Sequence, residues 1–167
     1  QMSTANPRAP SAATAVPVSR MNWSEKIDSK GSGKPTRAIF HGVEGVGKTS
    51  LPAYAAKPIF MMSKGETGLL TLIDNKRIPA TAHFPEVMEW NDALSQIEWL
   101  TMTNHEHKTL VMDTLNGFER LCHEFVCARD FGGQWGKNGF TSYMQGYEVA
   151  LADWRIMLNA LDRLRDA

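Results

Sequence analysis

The sequence predicts an α/β domain: a parallel β-sheet flanked by helices. Two observations carry the prediction. Short apolar runs, Ala38-Ile39-Phe40-His41, Ile59-Phe60-Met61-Met62 and Thr109-Leu110-Val111-Met112, alternate with segments of helical spacing, the pattern of strands joined by helical crossovers. The first run leads directly into the glycine-rich stretch Gly42-Val43-Glu44-Gly45-Val46-Gly47-Lys48-Thr49, as where a buried strand turns sharply into a helix.

Before that point, residues 1–35 are rich in Ala, Ser, Thr, Pro and Gly. They bury too little apolar surface to offset their ordering entropy and are expected to form a flexible tail, with a short turn near Trp23 to Ile27. Residues 36–167 are then one domain. Within it, Ala38 to His41 should be a buried strand and Lys48 to Ala56 the helix after the loop, shortened or bent by Pro52. Ile59 to Met62 is a second buried strand. A third lies within residues 80–90, weakened by Pro85.

Asn91 or Asp92 can cap a helix carrying Leu94, Ile97 and Leu100. The strand ending in Asp113 follows, then a helix with Leu115, Phe118, Leu121, Cys122, Phe125, Val126 and Arg129 at helical spacing. Ser142-Tyr143-Met144-Gln145 resembles a capping box. It should open a long helix bearing Tyr147, Leu151, Trp154, Met157 or Leu158, Leu161 and Leu164.

Composition sets limits. The 167 residues are 43% apolar and 22% charged, and Lys plus Arg equals Asp plus Glu at 18 each, which excludes a strongly basic nucleic-acid coat. No apolar run approaches the roughly 20 residues that span a bilayer, and the N-terminus lacks a signal-peptide core. The expectation is no membrane partner and a cytoplasmic location. Cys122 and Cys127 lack metal-ligand spacing even with His105, His107 and His123 nearby, so reduced, partly buried thiols are expected.

The chemistry centres on residues 42–50. Phosphate binding needs inward-pointing backbone N–H groups and no obstructing side chains. Gly42, Gly45 and Gly47 permit that, with Val43, Glu44, Val46 and Ser50 completing the cradle. Lys48 brings a point charge to the β- and γ-phosphates, and the Thr49 hydroxyl can ligate magnesium. This is a Walker A phosphate loop, so a nucleoside triphosphate and Mg2+ are the expected ligands. Asp113, ending a strand 64 residues after Thr49, suits the second magnesium partner, with Asp74 as its competitor. Glu66 follows the second strand and could orient an attacking water, or be a solvated loop acid. In the first case Glu66 and Lys48 are the catalytic pair; Glu44 is a loop-shaping or exposed residue rather than a base.

The run from His41 to Thr49, the Glu66 loop and Leu110-Val111-Met112-Asp113-Thr114-Leu115-Asn116-Gly117 together resemble RecA-like P-loop ATPases. The similarity is to the short single-domain members encoded by phages and prophages, and it spans about residues 37–165. It implies ATP hydrolysis with Glu66 as the water-orienting base, service in recombination or annealing of single-stranded DNA, assembly into a homo-oligomer, and a bacterial host cytoplasm. Lys64 stands where an acid is expected before Gly65-Glu66. In such proteins a DNA-facing loop occupies the place of residues 131–140. Trp135 and Phe140 offer stacking faces there and Lys137 a phosphate contact; a plain connector with both rings in the core is the other reading.

A small-molecule or nucleotide kinase and a non-catalytic nucleotide-binding module remain as alternatives. A GTPase is disfavoured: Asn75-Lys76-Arg77-Ile78 lacks the aspartate of the guanine-recognition motif. The resemblance also implies a strand between the phosphate-loop strand and the Asp113 strand, arising after Asp113. Only helix, loop and helix follow, so the sheet is expected to be incomplete at the C-terminus, unless the two strands pair directly.

Overall fold

The computed structural model describes residues 26–31 and 33–167. The expected N-terminal tail, including the turn near Trp23, lies largely outside the described residues. Contacts divide the chain into Gln1–Gly33 and Lys34–Ala167. Of the first unit, Lys26–Gly31 is exposed, and the Lys30 N–H donates to Asp28 Oδ1 at 2.9 Å.

The second unit holds a three-stranded parallel sheet in the order β2-β1-β3, with β1 Pro58–Met62, β2 Ala82–His83 and β3 Thr109–Asp113. Between them run helices α1 Gly68–Asp74 and α2 Trp90–Met102; α3 Leu115–Asp130 and α4 Gln145–Asp166 follow β3. The α/β prediction holds. Parallel strands need crossovers that cover the sheet faces, so the central strand should be apolar on both sides. In β1, residues Ile59 to Met62 are all buried, with Met61 facing one core and Phe60 and Met62 the other.

The larger core joins Met61 to α2, α3 and α4 through Trp90, Ile97, Phe118, Leu121, Val126 and Met157. The smaller one packs Phe60, Met62 and Leu69 with Ala53 and Ile78. Among the described residues no helix is long and apolar enough to cross a membrane.

Several local expectations are corrected. Residues 38–41 form no strand: Ile39 is 80% and Phe40 53% exposed. A strand needs a neighbour for its backbone groups, and among the described residues β3 pairs only with β1. Direct pairing of residues 38–41 with β3 therefore does not occur. The preceding segment is instead held along the end of α4. Lys34 Nζ reaches Asp166 at 2.6 Å, Arg37 pairs with Asp162, and Arg165 Nε donates to the Pro35 carbonyl at 2.8 Å.

After the phosphate loop there is one bonded turn, Leu51 N–H to Gly47 O at 2.9 Å, and then a 3-10 turn at Pro52–Tyr54. The expected helix does not form, because Pro52 contributes no N–H and β1 begins at Pro58.

The third strand shrinks to Ala82–His83, with an isolated bridge from Ser63 to Val87 beyond Pro85. Neither Asn91 nor Asp92 caps α2. Glu89 does, and its N–H donates back to Asp92 Oδ2 at 3.0 Å.

No capping box opens α4. Ser142–Met144 is a 3-10 turn kinked at Tyr143 and Met144, both at positive φ. The stripe α4 buries runs through Gly146, Ala150, Asp153, Met157 and Ala160. Leu151 and Leu158 are exposed. Tyr147, Trp154, Leu161 and Leu164 do pack on the core.

Candidate active site

Both ends of the site are set by local backbone. At the phosphate loop, Gly45 and Gly47 take φ of 80° and 95°, a region costly for any residue with a Cβ. Residues 42–46 lie at the surface and residues 47–50 are half-buried. Lys48 folds back over the loop, its Nζ donating to the Gly42 and Val43 carbonyls at 2.8 and 2.7 Å. Its charge is thereby held against the loop it is expected to complete.

Asp113 ends β3 and is only 8% exposed. Burying a carboxylate is costly unless it is hydrogen-bonded, and Thr49 supplies the bond: its Oγ1 donates to Asp113 Oδ2 at 2.8 Å. The two residues expected to share a cation are thus in contact across the 64-residue separation. Asp74, the competitor, closes α1 and is exposed.

Glu66 lies in the turn from β1 to α1. Its N–H donates to the Ser63 carbonyl at 3.0 Å, and its Oε1 accepts the Gly68 N–H at 3.2 Å. A Cβ placed on Gly68 would stand 3.1 Å from Glu66 Oε1 and 3.8 Å from Thr49 Oγ1, so the two side chains flank the same glycine. Thr49, Glu66 and Asp113 therefore gather at the C-terminal ends of β1 and β3, where parallel α/β sheets place their ligands, with Lys48 next to Thr49 in the chain. Glu44 stays exposed on the outer loop.

Ser63, Gly117 and Glu86 join the site only through tertiary contacts. Ser63 is buried; its N–H donates to the Asp113 carbonyl at 2.9 Å and its Oγ accepts the Thr114 N–H at 3.2 Å. Gly117 in the first turn of α3 makes room for it, since a Cβ there would stand 2.5 Å from Ser63 Cβ. Glu86 Oε1 accepts the Gly65 N–H. The glycine in Asp113-Thr114-Leu115-Asn116-Gly117 was the one available signal; nothing local marks a contact between positions 65 and 86.

The loop of residues 131–140 is compact. Phe140 is fully buried, with ring centroids of Trp135, Tyr147, His123 and Phe131 at 4.9, 5.0, 5.4 and 5.6 Å. A base-stacking role for Phe140 is therefore corrected: its faces are taken by neighbouring rings. Trp135 remains 43% exposed, and its carbonyl accepts both the N–H and the hydroxyl of Thr141, at 3.1 and 2.6 Å. Lys137 is exposed.

The thiols stand apart from the site. Cys122 and Cys127 are free and buried, and Cys122 Sγ donates to the Ala150 carbonyl at 3.7 Å. Burial, and then the Asp153 carboxylate, push the Cys122 thiol up to about 12; burial raises Cys127 as well.

A phosphate loop beside a strand-end aspartate, on a parallel sheet flanked by helices, defines a P-loop nucleotide-binding protein. More narrowly, the chain belongs to the AAA domain family, whose model matches residues 34–167. No curated protein and no solved structure matches it.

Proposed function

We propose that this protein binds ATP with magnesium through residues 42–50 and hydrolyses it, with Glu66 orienting the attacking water. The observation that carries the reading is the 2.8 Å bond from Thr49 to Asp113. The Thr49 proton points at the carboxylate, which leaves the hydroxyl lone pairs free for a cation. Neighbouring oxygens around octahedral magnesium lie about 3 Å apart, so the donor pair fits that ion. Bound there, the metal would offset the charge developing on the transferred phosphoryl group.

Lys48 would exchange the Gly42 and Val43 carbonyls for phosphate oxygens, a stronger charge-assisted contact. The loop N–H groups would hold the β-phosphate. Glu66, bordering the same glycine as Thr49, would accept a hydrogen bond from water in line with the terminal phosphorus. Hydrolysis then forms a bond from the water oxygen to the terminal phosphorus as the bond to the bridging oxygen breaks. ADP leaves with that oxygen, and the water proton passes to the Glu66 carboxylate.

The reading extends to single-stranded DNA handled for recombination or annealing by a homo-oligomer. With Phe140 buried, Trp135 supplies the stacking face and Lys137 the phosphate contact. Phe140 packs against the Trp135 ring, centroids 4.9 Å apart and planes tilted by 45°.

Nucleotide titration with a fluorescent ATP analogue, with and without magnesium, tests the site. Lys48→Ala should abolish binding. Asp113→Asn should remove the magnesium dependence while Asp74→Asn leaves it. Equal effects of the two aspartate changes would take Asp113 out of the site, and unchanged affinity in Lys48→Ala would overturn the loop assignment.

A further inference from the structure

The Glu66 backbone is tied to the metal-side residues by a continuous set of hydrogen bonds. Thr49 donates to the Asp113 side chain, the Asp113 carbonyl accepts Ser63 N–H, and the Ser63 carbonyl accepts Glu66 N–H. One side of the turn remains to be held. Gly65 sits at φ of 83°, a conformation open to glycine at little cost and equally easy for it to leave. Its N–H is taken by Glu86 Oε1, from the segment between β2 and the Ser63 to Val87 bridge.

We propose that Glu86 is a positioning residue for Glu66, anchoring the turn through the Gly65 N–H and so setting where the Glu66 carboxylate stands relative to Thr49. Glu86 touches neither nucleotide nor water in this role. The exposed side chain supports little core packing, so its action is on geometry. An attacking water must be aligned within a fraction of an ångström, and a displacement near 1 Å can cost about a hundredfold in rate. The proposal rests on Glu66 serving hydrolysis, as proposed above.

The test compares Glu86→Ala with Glu86→Gln in the full chain, because an amide oxygen still accepts the Gly65 N–H. Two quantities are read: amide hydrogen exchange across residues 63–68, and steady-state ATP turnover with Glu66→Gln as the inactive reference. Glu86→Ala should speed exchange at Gly65 and lower kcat about tenfold or more, with KM for ATP within about twofold. Glu86→Gln should restore both. Unchanged exchange in Glu86→Ala, or faster exchange with wild-type kcat, would overturn the proposal. So would a Glu86→Gln protein as impaired as Glu86→Ala, since the charge rather than the hydrogen bond would then be what matters. If Glu66→Gln turns over ATP as fast as wild type, the assignment of Glu66 fails first and the positioning role falls with it. Lys48-dependent nucleotide binding separates that outcome from failure of the phosphate loop.

Discussion

Replacing Gly117 by alanine sets two physical effects of opposite sign against each other. Gly117 lies in the first turn of α3, where alanine normally stabilises a helix by about 0.5–1 kcal/mol by reducing the freedom of the unfolded chain. Here the added Cβ would stand 2.5 Å from Ser63 Cβ and closer still to its hydroxyl oxygen. Neither side yields easily. Ser63 is anchored at the end of β1 by its bonds to Asp113 and Thr114, and α3 is anchored by Phe118, Leu121 and Val126 in the core. Overpacking of this kind costs about 1–3 kcal/mol, and opening the Ser63 to Thr114 bond adds about 1 kcal/mol. The steric term wins, and Gly117→Ala should be destabilised by about 1–3 kcal/mol net. Urea denaturation followed by far-ultraviolet circular dichroism measures it through the shift in midpoint at constant slope. Ser63→Gly in the Gly117→Ala background should recover part of the loss, a coupling on the order of 1 kcal/mol. A Gly117→Ala protein as stable as wild type, or more so, would refute the argument that Ser63 and α3 are rigidly held.

Three further outcomes follow from the geometry. Arg129 donates to Asp153 Oδ1 and Oδ2, both at 2.8 Å, and Asp153 is 5% exposed. Asp153→Ala should therefore lower stability by about 1.5–3 kcal/mol, read by the same denaturation, with Asp130 retaining part of the arginine's pairing. The Cys122 thiol, held at about 12 chiefly by burial against an ordinary 9.0, should resist iodoacetamide at pH 8.5 in the native protein and react readily in urea. Because its folded value is raised, its contribution to stability is complete below pH 9 and declines as pH rises toward 12; a native thiol labelled at the unfolded rate would contradict both statements. Trp135→Ala should weaken ATP-dependent binding of a labelled single-stranded oligonucleotide by about 1–3 kcal/mol in fluorescence anisotropy; superimposable curves would leave Trp135 as a cover for Phe140.

Much of the site was legible because its chemistry is local. Gly45, Gly47, Lys48 and Thr49 carry phosphate-loop geometry within a few residues of chain, and the apolar run before Asp113 marks a strand ending in an acid. The helix stripe from Phe118 to Val126 likewise reports one buried face, since its period is set by the helix itself. Residues 38–41 show where such reading stops. An apolar run says that a strand would be favourable, but its backbone bonds come from a neighbour that only the assembled sheet provides. Ile39 and Phe40 are exposed because, among the described residues, no strand pairs with theirs, while Lys34 and Arg37 just before them pair with the end of α4.

In the sequence Phe140 and Trp135 could serve either the core or a nucleic acid. Packing chose between them: Gly146 has no Cβ where one would overlap the Phe140 ring, which lets α4 close over Phe140 and leaves Trp135 at the rim. The sequence by itself determined the phosphate-loop motif, strands β1 and β3 and the buried faces of α2 and α3, because each is written in nearest-neighbour spacing. The buried face of α4, where Leu151 is exposed, was settled by packing. Only the tertiary structure decided that Thr49 meets Asp113, that Ser63 fits against Gly117, and that Glu86 holds the turn beside Glu66. Those contacts join residues 21 to 64 positions apart, and no local energy term records them.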